Sequence, residues 1–208
     1  DAILYINLAH REDRRQSVET TIDSIRHLTH HVERVDAIKH ANGGKGCALS
    51  HMKAFDRILD SDWDTVLILE DDATLDMPVS TFEGKLKQVL RVPFDVTVCG
   101  SEIYDREMDA LGEGSVPLTT AQCTTAYIIR RAYVPVLKRV WQHCEANLGP
   151  KMNVIEYRVF AIDQGWKRLI ARHTWRWLTG DAFRQLPGFS DIEQKKVHYK
   201  WVPRRLKP

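Results

Sequence analysis

Apolar runs short enough to form strands alternate along the chain with stretches whose apolar residues recur at helical spacing. Residues 2–8 and 66–69 are nearly continuous apolar runs, the pattern of strands buried on both faces. Residues 47–59 have the period of an amphipathic helix. Further patterns predict strands at 32–35, 94–99, 126–129 and 168–172, helices at 10–31, 82–90 and 133–145, and loops at 41–46 and 112–117.

This alternation of strands and helices predicts an α/β fold with a mostly parallel sheet flanked by helices on both faces. The 208 residues are enough for one large domain with a substantial core, so we predict a single domain over residues 1–208. The chain begins with Asp1 instead of methionine, which fits a domain cut from a longer protein.

Charge is nearly balanced over the whole chain. Thirty Lys and Arg residues face 28 Asp and Glu residues, a net charge of +2 that does not suggest nucleic acid as a partner. Residues 195–208 carry basic residues and no acid, which predicts a solvated, partly disordered tail, or one that contacts a phosphate or an anionic surface such as a membrane. No apolar run reaches the length of a transmembrane helix.

The cysteines predict free thiols of a reducing compartment such as the cytoplasm, because they are widely spaced and lie mostly among apolar residues. They are Cys47, Cys99, Cys123 and Cys144. Cys47 with His51, or His143 with Cys144, could serve as a pair of metal ligands, but neither pair has a matching second half. Zinc is therefore not predicted.

The apolar run at 66–69 leads directly into three carboxylates, Glu70, Asp71 and Asp72. The C-terminal ends of strands are where open α/β sheets bind their ligands. Three adjacent carboxylates repel one another, and a bound Mn²⁺ or Mg²⁺ relieves that repulsion while keeping positions open for phosphate oxygens. The triplet therefore predicts a metal-dependent enzyme that acts on a phosphate-containing substrate.

Two phosphate-related motifs fit the sequence poorly. Residues 43–46 resemble a phosphate-binding loop, but Gly46 follows Lys45 where a metal-binding Ser or Thr is needed. A loop that lets the backbone approach a ligand stays open. The triplet also resembles the Asp-x-Asp-x-Thr loop of haloacid-dehalogenase-type phosphatases, but the nucleophile position holds Glu70, whose extra methylene misplaces the attacking oxygen.

A glycosyltransferase accounts for the triplet and does not require Glu70 to act as a nucleophile. Departure of the nucleoside diphosphate from a sugar nucleotide builds negative charge, which a divalent cation neutralises. An Asp-x-Asp-like triplet after a buried strand can hold that cation and also contact the ribose.

Several segments, in order along the chain, resemble glycosyltransferase family 25, which includes lipopolysaccharide and collagen glycosyltransferases and enzymes of large DNA viruses. They are Tyr5-Ile6-Asn7-Leu8 with Arg11 and Asp13-Arg14, Gly44-Lys45-Gly46-Cys47 with Ser50-His51, Leu67-Ile68-Leu69-Glu70-Asp71-Asp72, Thr125-Ala126-Tyr127, Ile162-Asp163, and Phe189-Ser190-Asp191-Ile192. Ala9-His10 departs from the family pattern, which has Asp-Arg after Asn-Leu.

The resemblance implies a GT-A fold, a Rossmann-like sheet that binds a nucleotide sugar. It implies hexosyl transfer from a nucleotide-sugar donor, with a UDP-sugar favoured, to a glycan or protein-linked hydroxyl. It further implies inversion of configuration and Mn²⁺ or Mg²⁺ as the metal. The metal ligands implied are Asp72, Glu70 and His173. The residues implied to border the nucleotide are Asn7, Leu8, Arg11, Ser50, His51, Glu70 and Asp71.

An inverting enzyme needs a general base to accept the proton of the acceptor hydroxyl. Asp163 is the leading candidate because it lies at the edge of an apolar segment, where burial raises the pKa of a carboxyl. A helix N-cap is its alternative role. Glu102 and Asp105 are reserve candidates.

Other interpretations stay open beside the glycosyltransferase. Arg14 either reaches a phosphate or lies on a helix surface. The alternative functions are a metal-dependent phosphatase or other phosphoryl-transfer enzyme, and a non-catalytic nucleotide-sugar-binding domain.

Overall fold

The computed structural model describes residues 1–102 and 114–197, with the backbone alone at 101 and 102. Its strands are β1 (Ala2–Asn7), β2 (Val32–Asp36), β3 (Thr65–Glu70), β4 (Ala73–Leu75), β5 (Val96–Glu102), β6 (Ser115–Pro117), β7 (Gln122–Arg130), β8 (Trp175–Leu178), β9 (Phe183–Gln185), β10 (Gly188–Ser190) and β11 (Lys195–Val197). Its α-helices are α1 (Glu12–Ile25), α2 (Gly43–Leu59), α3 (Val79–Val89), α4 (Val134–Ala146), α5 (Val154–Phe160) and α6 (Ile162–Ile170). Short 3₁₀ turns lie at Arg26–Leu28 and Arg131–Tyr133.

Within the described residues the main sheet has seven strands in the order β2-β1-β3-β7-β5-β8-β6. Strands β1, β2, β3, β5 and β8 run in one direction, and β7 and β6 run against them. The sheet is therefore mixed and mostly parallel. The predicted α/β fold with a mostly parallel sheet is confirmed.

Helices cover both faces of this sheet, and strand β3 shows how its side chains divide between them. Val66 and Ile68 pack into the core under α2, α4 and α6. Leu67 and Leu69 pack into the other core, under α1 and α3. Successive strand residues point to opposite faces, so both faces of β3 are buried and its apolar run is nearly continuous.

Two short ribbons bring the C-terminal part of the chain to the end of β3. Strand β4, which directly follows the acidic triplet, pairs antiparallel with β9. Strands β10 and β11 form a second antiparallel pair. Within the described residues, no helix is both long enough and apolar enough to span a membrane.

Three predicted elements are wrong. Residues 168–170 end α6, because Ile162, Trp166, Leu169 and Ile170 are buried at helical spacing, and the late strand is β8 instead. Residues 43–46 form the first turn of α2, with Asn42 as its N-cap. The predicted loop at 112–117 contains β6, an edge strand.

Candidate active site

The acidic triplet is divided between the two faces of the sheet. Glu70 is the last residue of β3, and its carboxylate lies on the face that α2 covers, beside His51. Asp71 points to the opposite face, where Asn7 donates to it and Arg14 of α1 pairs with it. The period of two along the strand produces this division.

Glu70 lies among hydrogen-bond donors. The hydroxyl of Thr124 donates to Glu70 Oε1 at 2.6 Å, and His51 Nε2 lies 3.2 Å from the same oxygen. The other ring nitrogen of His51 lies 3.0 Å from the hydroxyl of Tyr127. Burial alone raises the pKa of Glu70, but the hydrogen bonds and charge of its partners outweigh burial and lower the pKa, so the carboxylate form is favoured.

Asp72 is buried and only half satisfied. Its Oδ2 accepts a hydrogen bond from Gln185 Nε2 at 3.0 Å and lies 3.0 Å from Arg14 Nη1. Its Oδ1 is buried without a hydrogen-bond partner among residues 1–102 and 114–197. Burial and the nearby charge of Glu70 raise the pKa of Asp72 to about 7. Such an orphaned oxygen is the kind of atom that a hard cation satisfies.

Arg14 bridges the carboxylates of Asp71 and Asp72. Its Nη1 lies 2.9 Å from Asp71 Oδ1 and 3.0 Å from Asp72 Oδ2, and its side chain is only 16% exposed. It is therefore not a surface arginine of α1. Ionised, the triplet and Arg14 together carry a charge of −2, which matches a divalent cation. Burial raises the pKa of Asp71, while Arg14 and Asn7 oppose that effect.

The triplet lies in an open cleft at the C-terminal ends of β1, β2 and β3. The cleft contains about 790 Å³ of empty space, part of it continuous with bulk solvent. Its lining includes Leu8 after β1, residues 37–40 after β2, the start of α2, and residues 190–192. Open α/β sheets bind ligands at this position.

The β10–β11 ribbon closes one side of this cleft, and two arginines near the N-terminus, Arg11 and Arg14, hold it there. Arg11 Nη1 donates to Asp191 Oδ2 at 2.6 Å and to the carbonyl of Phe189 at 3.0 Å. Arg14 Nη2 donates to the same carbonyl at 2.8 Å. The first and last motifs of the sequence thus meet in space, and Arg11 is engaged with the ribbon.

The glycines at the start of α2 allow close packing of the protein with itself. A Cβ on Gly43 would lie 2.5 Å from Ile192 Cα, and one on Gly46 would lie 2.6 Å from the carbonyl oxygen of Ile38. The Asn42 side chain already accepts from the backbone N–H groups of Gly44 and Lys45. These glycines therefore face protein backbone, and the first turn is capped from within the chain.

Other predicted site residues lie in several places. Asn7 donates to Asp71 at 2.9 Å, which ties β1 to the triplet. Ser50 lines the cleft, but its hydroxyl donates to Gly46 and accepts from the backbone N–H of Ile38, so it joins α2 to the segment after β2. His173 precedes β8 and packs against the ring of Tyr133 at 5.2 Å. Strands β8 and β3 run in the same direction. His173 precedes β8 and the triplet ends β3, so they lie at opposite ends of the strands.

Asp163 lies in the first turn of α6 and contacts Cys123, the residue before the Thr124 that donates to Glu70. The backbone N–H of Cys123 donates to Asp163 Oδ2 at 3.0 Å, and Gln164 donates to Oδ1. The N-cap of α6 is Ala161, so Asp163 does not have the alternative capping role. Burial raises the pKa of Asp163, and the charge of Glu70 adds to that effect.

The reserve bases lie at or beyond the end of β5. Glu102 ends this strand, and its Cα is paired with Gln122 at the start of β7, near Cys123. The Glu102 side chain, Asp105 and the tail from residue 198 onward lie outside the described residues.

Sequence reasoning missed two neighbours of the triplet. Gln185 reaches Asp72 because the β4–β9 ribbon places it there, and the backbone N–H of Leu186 also donates to the Asp72 carbonyl at 2.8 Å. Thr124 reaches Glu70 from near the start of β7. Thr124 directly precedes the Thr-Ala-Tyr motif, which was the available signal, whereas no sequence pattern marks Gln185.

Comparisons with known proteins bear on this geometry. Residues 39–94 match the sequence pattern of glycosyltransferase family 25, described as an LPS biosynthesis protein family. No curated protein shows significant sequence similarity to the chain.

Among solved structures, a glycosyltransferase involved in glycosylation of the major capsid of PBCV-1 matches with a TM-score of 0.50 and 14% identity, over 93% of this chain and 95% of that one. A protein from STIV matches at 0.46 and 14% identity, over 100% of this chain and 98% of that one. A mutant of Drosophila β1,4-galactosyltransferase 7, in complex with manganese, UDP-Gal and xylobiose, matches at 0.47 and 11% identity, over 98% and 76%.

The match to the PBCV-1 enzyme concerns the fold, and it agrees with the predicted GT-A-like arrangement. The family match covers the start of α2 and the whole acidic triplet. The resemblance to glycosyltransferase family 25 is thereby confirmed, and residues 39–94 are the part of the chain that carries the family's sequence pattern.

Proposed function

We propose that this protein is a metal-dependent glycosyltransferase that transfers a hexose from a nucleotide-sugar donor, with UDP as the favoured nucleotide, to a hydroxyl of a glycan or glycoprotein. Inversion of configuration is part of the proposal. Asp72 is the proposed direct metal ligand, with Glu70 beside it. Asn7, Leu8 and Asp71 are the proposed neighbours of the nucleotide.

The observation that carries the proposal is the orphaned Oδ1 of Asp72 at the base of the cleft. This oxygen needs a positively charged or donating partner, and the triplet with Arg14 leaves a charge of −2 to be neutralised. Bound Mn²⁺ or Mg²⁺ supplies charge neutralisation for a departing diphosphate. Asp72 would hold the cation, and Arg14 would keep Asp71 and the other Asp72 oxygen in place.

Asp163 is the proposed general base. Its raised pKa makes the carboxylate a better proton acceptor for an acceptor hydroxyl. Its Oδ2 is held by the backbone N–H of Cys123, so the side chain is oriented before a substrate arrives. The negative charge of Glu70 adds to the rise in the pKa of Asp163, so the two carboxyl groups influence each other electrostatically.

The geometry disfavours the phosphatase alternative. A covalent phosphatase mechanism needs the carboxylate at the first triplet position to attack phosphorus. Glu70 Oε1 instead contacts both Thr124 and His51, so that oxygen is engaged within the protein.

The decisive experiment is calorimetric titration of UDP and GDP, each with and without Mn²⁺, into the wild type and Asp72→Ala. We expect UDP to bind only with Mn²⁺, and Asp72→Ala to weaken that binding by about 100-fold or more, roughly 2.7 kcal/mol. Asp76→Ala is the matched control, because Asp76 is a half-exposed carboxylate just beyond the triplet, paired with Arg184.

Failure of both UDP and GDP to bind in the presence of Mn²⁺ would contradict the proposed function. Metal-dependent UDP binding without turnover of any UDP-sugar would favour the non-catalytic nucleotide-sugar-binding domain. Action in a reducing compartment such as the cytoplasm belongs to the same proposal, because the four cysteines are widely spaced along the chain and lie mostly among apolar residues.

A further inference from the structure

Beside the carboxylate-rich part of the cleft lies a second, chemically different group of ligand atoms. Cys47 and His51 are four residues apart in α2 and therefore lie on one face of that helix. Glu70 meets them from the end of β3. The Cys47 Sγ, one His51 ring nitrogen and one Glu70 oxygen all lie within 4.8 Å of one another. The structure thus supplies the third ligand that the sequence spacing lacked.

We propose that Cys47, His51 and Glu70 form a binding site for a thiophilic divalent cation of the Zn²⁺ class, separate from the hard-cation site proposed at Asp72. Sulfur, imidazole nitrogen and carboxylate oxygen together are a donor set that suits zinc better than Mn²⁺ or Mg²⁺. All three residues line the cleft, so a fourth position would face it. The metal would replace the proton of the Cys47 thiol, and that proton would pass to solvent.

The surroundings of these ligands are those of a supported metal site. The hydroxyl of Tyr127 lies 3.0 Å from His51 Nδ1, which leaves Nε2 directed at Glu70. The hydroxyl of Thr124 holds Glu70 Oε1 at 2.6 Å. Partners of this kind fix ring and carboxylate orientation in known metal centres, and their loss typically costs about 10–100-fold in affinity. His51 is 1% exposed, so its orientation is also held by packing.

A consequence for activity rests on the proposed function. Glu70 belongs both to this cluster and to the acidic triplet. Zinc at the cluster would hold Glu70 away from the part of the cleft proposed for the nucleotide sugar. We therefore expect Zn²⁺ to inhibit sugar transfer even when Mn²⁺ is saturating.

Cobalt substitution tests the site without any nucleotide. The metal-free protein is titrated with Co²⁺, and the thiolate-to-cobalt absorption band in the near ultraviolet is followed, with Zn²⁺ then added as competitor. We expect a band at one equivalent that Zn²⁺ abolishes and excess Mn²⁺ does not. Cys47→Ser should remove the band and weaken Zn²⁺ binding by at least about 100-fold, more than the loss of an outer partner.

Matched variants distinguish this site from the acidic triplet and from the other thiols. Cys123→Ser alters another half-buried thiol outside the cluster and should keep the band. Asp72→Asn should also keep it, which distinguishes this site from the one the proposed function requires. Tyr127→Phe should keep the band and weaken Co²⁺ binding by about 10-fold. Thermal melts verify that each variant is folded. If Cys47→Ser does not fold, Glu70→Gln serves as the second variant that removes a metal ligand.

The proposal is overturned if folded wild type gives no thiolate band, if the band survives in folded Cys47→Ser, or if Cys123→Ser removes it. Loss of the band in Asp72→Asn would also overturn it, because the cation would then belong to the triplet. Absence of UDP binding would count against the glycosyltransferase alone and would leave this result unchanged.

Discussion

Glu70 and Asp72 are two residues apart, but their surroundings differ. Glu70 lies beside a hydroxyl, an imidazole and a thiol on the face covered by α2. Asp72 lies beside the guanidinium of Arg14 and an amide, with one buried oxygen that has no hydrogen-bond partner within the described residues. Its pKa is raised, whereas that of Glu70 is lowered. Burial acts on both carboxyl groups; hydrogen bonds then lower the pKa of Glu70, whereas the negative charge of Glu70 adds to burial in raising the pKa of Asp72.

The difference has a chemical meaning. The hydrogen bonds that Glu70 accepts hold its carboxylate in a fixed orientation, whereas the buried and partly unsatisfied carboxylate of Asp72 is poised to take a hard cation. We therefore call the surroundings of Glu70 the Glu70 pocket, defined by Cys47, His51 and Thr124. The surroundings of Asp72, defined by Arg14 and Gln185, are the Asp72 pocket.

The largest expected effect concerns Asp163, next to the Glu70 pocket. Asp163→Asn removes the proposed base while keeping an oxygen that can accept from Cys123, so we expect kcat to fall by about 10²- to 10⁴-fold with little change in UDP affinity. The measurements are steady-state kinetics across pH and calorimetry with UDP and Mn²⁺. The acidic limb of the wild-type pH–rate profile should disappear in the variant.

Asp95→Asn is the matched control, because Asp95 also accepts from a backbone N–H, that of Thr174, but lies away from the cleft. If both variants lose the same activity, Asp163 has only a structural role. An unchanged kcat in Asp163→Asn would exclude it as the base.

In the Asp72 pocket, the raised pKa makes a prediction about stability in the metal-free protein. The folded-state pKa is about 7, above the ordinary value of 3.8, so the folded protein binds the extra proton between those values. Stability is therefore lost as pH rises from about 4 to about 7. A pKa rise of that size corresponds to at most roughly 4 kcal/mol.

Asp72→Asn removes this charge, so in EDTA it should be more stable than the wild type at pH 8, and the difference should shrink toward pH 4. Urea denaturation at both pH values measures the effect. Asp76→Asn, at a half-exposed ion pair, should change stability by less than about 0.5 kcal/mol at either pH. If the stability of the wild type and that of Asp72→Asn depend on pH to the same extent, the raised pKa assigned to Asp72 is contradicted.

Arg14 provides a sharper test of the same pocket. Arg14→Gln leaves Asp71 and Asp72 without their guanidinium partner, and we expect a loss of about 3 kcal/mol in unfolding free energy at pH 8 without metal. Saturating Mn²⁺ should restore part of it, because a cation can replace the missing charge. The measurement is a denaturant titration with and without Mn²⁺.

Arg15→Gln is the control for this test, since Arg15 is the next residue of α1 and pairs with Glu19 at the surface. It should lower stability far less than Arg14→Gln does, and it should respond to Mn²⁺ as the wild type does. A similar loss in both variants would mean that Arg14 is an ordinary helix arginine.

The smallest expected effect concerns Tyr127 in the Glu70 pocket. Tyr127→Phe removes the hydroxyl beside His51 and keeps the ring packing, so stability should fall by about 1 kcal/mol. Tyr133→Phe loses a comparable hydrogen bond, from Trp175, at a distance from the cleft. Melting experiments should rank the two as similar. Only Tyr127→Phe should alter the affinity for UDP. If the two variants bind UDP equally well, His51 has no role in nucleotide binding.

The sequence and the structure agree best where a pattern is local. The apolar run of β3 predicted a strand buried on both faces, because each successive residue faces one of two cores. The wrong elements were also local ambiguities. Residues 168–170 carry an apolar pair that fits a strand or the end of a helix, and packing of Trp166 and Leu169 in the core decided for the helix.

By itself, the sequence determined the α/β class, the strand that carries the triplet, the absence of zinc-type paired motifs and the resemblance to glycosyltransferase family 25, because these depend on short periodic or contiguous patterns. Only the tertiary structure brought Gln185 to Asp72, Arg14 across Asp71 and Asp72, and Glu70 to Cys47 and His51, and it placed His173 at the opposite end of the strands. These contacts join residues far apart in the chain, and strand order and ribbon pairing, which no local pattern encodes, determine which distant side chains meet.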